Sequence, residues 1–216
     1  MSTQPSRRLA QAQETKRLIL DAALALFTRR GYGATSVNEI AAEAGVAVPT
    51  VYASVGAKPE LLRLLLDRID EQAHVADHVS RLLAADRPGD VLAAQVALTR
   101  GLVEHSGQIV VALRSAAGVE PDLATAYTEG LARHRAGAEA TVKRIASAGA
   151  LRPDVPRERA VAMLATLTRP ENWEALTGDF GWSFDEAESW LTDVLARELL
   201  RRAGEGNRTP TVSLGS

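Results

Sequence analysis

The chain has no cysteine among its 216 residues, which excludes a disulfide framework and any thiolate metal site. Aromatic residues make up only 4% of it, so each one at a defined spacing carries information. No run of 18 apolar residues occurs, and a membrane-spanning helix is not expected. The first residues, MSTQPSRRLAQAQETKR, are polar and lack the apolar centre of an export signal. Period-2 strand patterns, a Gly-rich phosphate loop and internal repeats are also missing. The lack of cysteine fits a reducing cytoplasm, and the lack of strand patterns and apolar runs fits an all-α chain with no membrane partner. No cofactor is expected.

What is present is an ordinary hydrophobic fraction of 46% and a net charge of -2. The charge is unevenly placed. Residues 1–63 hold eight Lys/Arg and five Asp/Glu, whereas residues 64–216 hold the other 17 and 22. A mildly basic head on an acidic body suits a protein that presents one end to phosphates.

The apolar spacing predicts helices throughout. Leu18, Ile19, Ala22, Ala23, Leu26 and Phe27 form one stripe over about Thr15 to Arg30, closed by Gly31-Tyr32-Gly33. A long helix is expected from Pro59 to about His78, with Leu61, Leu62, Leu65, Leu66 and Ile69 inside. Further helices are expected over Val91 to His105, Gly107 to Ala117 and Pro121 to about Ser147. Asp154 is a candidate cap for a helix through Met163 to Leu167, which Pro170 breaks or kinks. Ser183 with Glu186 makes a capping box for the last helix, to about Ala203. Residues 1–13 read as a disordered arm and 204–216 as a disordered tail.

Ser36 to Lys58, SVNEIAAEAGVAVPTVYASVGAK, is the stretch that points to a function. Ser36 and Glu39 form a capping box ahead of Ile40. Gly45 sits where a left-handed C-terminal residue is wanted, and a second helix follows with Val48-Pro49-Thr50-Val51-Tyr52. Two helices joined by a short glycine turn are the helix-turn-helix unit, whose second helix enters the DNA major groove. Spacing alone also fits a helical hairpin in any all-helical protein.

Residues 15–66 resemble the DNA-binding head of TetR-type transcriptional regulators. The segments ILDAALALFTRRGYGATSVNEIA, EAGVAVPTVY and KPELL carry the likeness. Two departures are visible: Ala47 stands where the family usually caps the recognition helix with Ser or Thr, and Val55 replaces a usual aromatic. The resemblance implies an all-α fold with a three-helix head at 14–58 and a helical ligand-binding and dimerisation body at 59–203. It implies a ligand-responsive regulator, most simply a repressor, bound as a homodimer to a palindromic double-stranded operator, and no enzyme. Tyr52 and Lys58 match family positions that grip the DNA backbone. Thr35 and Ser36 start a helix whose dipole favours a phosphate. Thr50 suits a base edge or a phosphate, and Val48 and Pro49 suit a thymine methyl.

His105, Arg114, Tyr127 and His134 are polar residues within apolar helices and are pocket candidates for a small, mostly apolar effector. LTRPENWEAL and GWSFDEAESWL look like the last two helices of a subset of the family, which pair across the dimer. Trp182, Trp190 and Val194 are then interface candidates, with core anchoring inside one subunit as the alternative for the two tryptophans. His74 and His78, at i and i+4, have a zinc-compatible spacing but no third ligand, and no metal is expected. A helical metal- or ligand-binding protein is the competing functional class.

Overall fold

The computed structural model describes residues 7–69 and 75–201. Its helices are α1 (Arg7–Arg30), α2 (Val37–Glu43), α3 (Val48–Val55), α4 (Lys58–Leu66), α5 (Val75–Ala84), α6 (Pro88–Ala117), α7 (Pro121–Ser147), α8 (Arg157–Leu167), α9 (Pro170–Glu174) and α10 (Phe184–Leu199). Of the arm expected disordered at 1–13, residues 7–13 are instead helical, in α1; residues 1–6 and the tail expected at 204–216 lie outside the described residues. So does His74. No helix among the described residues is long and apolar enough to cross a membrane.

The chain divides into two compact units, residues 1–79 with 98–134 and residues 80–97 with 135–216. This differs from a simple division into a head and one continuous body, because α6 and α7 each contribute to both units.

In the first unit, α1 is the central element. It buries Ile19, Leu20, Ala22, Ala23, Leu26 and Phe27 and packs against α2, α3 and α4. Serving three partners requires a wide apolar arc. That arc takes in Leu20, whereas Leu18, expected inside, is 40% exposed. Ile40, Ala41, Val51, Val55, Leu61, Leu62 and Leu65 complete the same core, and α6 and α7 add Ile109, Ala112, Leu113, Ala116 and Leu123. α1 also begins at Arg7, well before Thr15. Residues 7–17 have no apolar stripe to reveal them, but Arg17 pairs with Glu14 and with Asp21 one turn away on either side, the kind of spacing that supports an exposed helix.

In the second unit, Gln95 and Thr141 share a buried hydrogen bond of 3.0 Å. The guanidinium of Arg144 donates 2.6 Å bonds to the carbonyls of Leu82 and Ala85, capping the end of α5. Asp154 does not cap α8. Its carboxylate pairs with Arg152 at 2.6 Å, and Pro156 precedes the helix without a side-chain cap. Pro170 does stop α8's line and opens the short α9. A π-helical turn at Ala175–Asp179 follows. The expected capping box is present at α10, where Ser183 Oγ accepts from Glu186 N–H and Glu186 accepts from Ser183 N–H. An antiparallel bridge between Leu151 and Leu200 fastens the end of that helix.

Candidate nucleic-acid interface

The capping box at α2 forms as its sequence requires. Glu39 Oε2 accepts 2.8 Å bonds from the N–H and the hydroxyl of Ser36, while Ser36 Oγ accepts from Glu39 N–H. Glu39 Oε1 also accepts from Arg30 at 2.6 Å. The backbone bond from Ser36, then its hydroxyl, holds the Glu39 carboxyl below its usual range. Arg29 pairs with Glu43 at 3.0 Å. The last two arginines of α1 thus tie down both carboxylates of α2.

Gly45 has φ +67°, and the end of α2 is a Schellman motif. Val46 N–H donates to Ala41 O at 3.0 Å and Gly45 N–H to Ala42 O at 3.2 Å. A residue with a Cβ is strained at that φ. The turn therefore sends α3 off in one defined direction.

α3 starts without a side-chain cap at Ala47, with Pro49 in its first turn. Val51 and Val55 face the core, and Val48 packs partly against it. The outward face holds Pro49, Tyr52 and Ala53, all exposed, with Tyr52 at 53%. Thr50 is half-buried beside them. Ala53 was missed from the sequence because a lone alanine carries no chemical signal; only its spacing of four from Pro49 marks it. Because Ala47 already has the extended backbone of an N-cap, Ala47→Ser is expected to stabilise the chain by about 0.5–1 kcal/mol in thermal unfolding.

Thr35 and Lys58, expected to face phosphates, make their hydrogen bonds to the protein's own backbone. Thr35 is buried, and its hydroxyl donates to Gly31 O at 3.0 Å. Lys58 Nζ donates 2.9 Å bonds to the carbonyls of Tyr32 and Thr35. It also lies 4.1 Å from the centre of the Tyr32 ring. Burial pulls the Lys58 ammonium below the usual lysine range, against the opposing pull of Glu120. Ser36 is exposed, but its N–H and hydroxyl both serve Glu39.

The segment that matches a known family overlaps this head. The sequence model described as "Bacterial regulatory proteins, tetR family" matches residues 19–65. That segment of the chain is similar to the heads of the tetR family. The HTH-type transcriptional repressor Rv3405c of Mycobacterium tuberculosis is 35% identical over 80 residues, 37% of this chain and 39% of that protein. TtgR of Pseudomonas putida, an HTH-type transcriptional regulator, is 35% identical over 86 residues, 40% of each chain. The match thus spans about two fifths of the length of these curated relatives. Among solved structures, a transcriptional regulator from Saccharomonospora viridis in complex with choline superposes with a TM-score of 0.70. It is 23% identical and covers 88% of this chain and 100% of that one. NalD of Pseudomonas aeruginosa, a secondary repressor of a multidrug efflux pump, gives 0.66 at 20% identity, covering 90% and 100%. At these identities the structures establish a shared fold alone.

Of the pocket candidates, His105 is exposed on α6, with Nδ1 3.0 Å from the carbonyl of Gly101. Arg114 is half-buried, as are Tyr127 and His134 on α7. Tyr127 packs against the core of the first unit. A residue not singled out from sequence is Ser106, whose hydroxyl is buried with no hydrogen-bond partner among the described atoms. Its only signal is a polar group on the stripe of Val103, Ile109 and Leu113. His78 lies against Gly101, where a Cβ would come within 2.5 Å of its Nε2. Among the described residues no group of three His, Cys, Asp or Glu could hold a metal.

Trp182 and Trp190 meet edge to face, 5.6 Å apart at 88°. They line an open groove with Asp185, Glu186, Ser189 and Asp193. Trp190 is 40% exposed, and Val194 is half-buried. The tryptophan that anchors the core of the second unit is instead Trp173.

Proposed function

We propose that this chain is a sequence-specific DNA-binding transcriptional regulator, a repressor that leaves a palindromic operator when a small molecule binds. It works as a cytoplasmic homodimer and is not an enzyme. The observation that carries this reading is the capped α2, the Gly45 turn and the α3 helix that buries Val51 and Val55 while presenting Pro49, Tyr52 and Ala53. That is the build of a helix made to enter a major groove.

In this reading Tyr52 bonds a phosphate, Thr50 a phosphate or base edge, and Pro49 touches a thymine methyl. Ser36 stands at the backbone, with Val48 at the rim of the contact. No Arg, Asn or Gln projects from α3, so base choice rests on apolar contacts and on DNA shape. Trp182, Trp190 and Val194 meet their copies across a two-fold axis, which sets two recognition helices on two half-sites. The effector enters the helical body near Arg114, Tyr127 and His134, with His105 at its edge. The unsatisfied Ser106 hydroxyl is a group that a mostly apolar ligand with one polar atom would satisfy. Release requires only that the effector bind better to the state that fits DNA poorly.

Selection from a pool of random duplexes tests the whole reading. The full chain is expected to enrich an inverted repeat, and Tyr52→Ala is expected to bind the selected duplex about tenfold more weakly. Failure of the full chain to enrich any sequence at low salt would remove the function.

A further inference from the structure

A lysine ammonium has three donors, and at Lys58 the protein's own backbone takes two of them. These go to the carbonyls of Tyr32 and Thr35, and the charge also faces the Tyr32 ring. The turn that these contacts seal is held from its other side as well. Tyr32 N–H donates to Ser115 Oγ at 3.0 Å, and the Tyr32 hydroxyl donates to Glu120 Oε1 at 3.2 Å. A Cβ on Gly31, at φ +81°, would lie 3.1 Å from that same Ser115 oxygen. Thr35, whose carbonyl accepts from Lys58, is the residue immediately before the α2 cap at Ser36. The turn therefore sets where α2 begins, and α2 with Gly45 sets where α3 points.

We infer that Lys58 is a positioning residue for DNA reading, acting through the Tyr32–Thr35 turn and not through a phosphate. Glu120 and Ser115 support the same turn through Tyr32. This deepens the DNA-binding reading and rests on it. The two roles differ in their salt signature. A phosphate contact releases counterions, so its loss makes the dependence of affinity on salt shallower; a positioning residue changes the fit and leaves the number of phosphate contacts unaltered.

The test measures fluorescence anisotropy of the full chain on its selected duplex, between about 50 and 200 mM salt. Lys58→Met is expected to weaken binding about tenfold at every salt concentration, with the log–log slope of the wild type. Lys58→Arg is expected to fail to restore affinity, because a planar guanidinium does not reproduce a point charge seated between two carbonyls and a ring. Tyr32→Phe retains the ring and removes only the hydroxyl bond to Glu120. It is expected to weaken binding about threefold with unchanged slope, and non-additively with Lys58→Met, as residues sharing one network do. Circular dichroism of each variant shows whether it folds; should Lys58→Met not fold, Lys58→Arg and Tyr32→Phe decide the matter. The proposal is overturned if removing the two lysines of a dimer makes the slope shallower by about 1.8, if Lys58→Arg binds as wild type, or if Tyr32→Phe leaves affinity unchanged. Failure of the DNA-binding reading itself shows in the wild type, which would then select no duplex.

Discussion

Ala53→Glu is expected to reduce operator affinity by on the order of 100-fold or more at low salt while the chain still melts close to wild type. Ala53 is exposed on the outward face of α3, one turn beyond Pro49 and beside Tyr52. It has no core to disturb, and glutamate is a good helix former, so folding is nearly indifferent to the change. Binding is not. A carboxylate on that face enters the most negative space the helix could meet, and like charges held across an interface cost several kcal/mol, where each 1.4 kcal/mol is tenfold. In a two-fold dimer the effect is felt at both half-sites. Anisotropy on the selected duplex and a thermal melt together check it. Binding retained within about threefold would mean that α3 does not lie in the groove.

The second large effect lies far from α3 in sequence. Trp173→Ala is expected to lower stability by about 3–5 kcal/mol, read as a shift of the denaturation midpoint in urea. Trp173 is completely buried and stacks on Phe184, with ring centres 6.2 Å apart at 29°. It sits in α9, a helix of five residues followed directly by the π-helical turn. So short a helix has little stability of its own, because nucleation is unfavourable and propagation brief; packing of the indole holds it. The indole Nε1 is buried without a partner among the described atoms. Trp173→Phe removes that unsatisfied donor and keeps much of the volume, so it is expected to cost less than half as much as the alanine change. Equal losses for the two variants would show that the indole nitrogen matters more than the ring.

Much of this was legible in the residues because local rules decided it. Ser36 with Glu39, Ser183 with Glu186 and Gly45 each act within a few residues, and all three adopt the geometry their chemistry demands. The helical stripes were legible for the same reason. Gly107 was a misleading break. α6 continues through it from Pro88 to Ala117, since one helical glycine costs only about 1 kcal/mol. Here its missing Cβ leaves room beside Val103. The start of α8 was misplaced because the Asp154 carboxylate has a stronger local partner in Arg152, and the π-helical turn has no local signature at all.

The site shows the same boundary between local and distant causes. Which face α3 presents follows from period and burial. The direction of a lysine at a helix start does not, because Lys58 chooses between solvent and the carbonyls of a turn more than twenty residues earlier. That choice depends on Tyr32 being fixed by Ser115 and Glu120, more than eighty positions away.

The pairing of Arg29 with Glu43 and of Arg30 with Glu39 has a consequence for how a DNA reader of this build searches a genome. Charges already neutralised within the head attract a phosphate backbone weakly, and attraction to random sequence is almost wholly electrostatic. Such a protein makes brief visits to random DNA and leaves quickly. On the proposed reading, its residence on an operator then depends on fit at Pro49, Tyr52 and Ala53, and its occupancy is set by shape more than by a reservoir sliding along the chromosome.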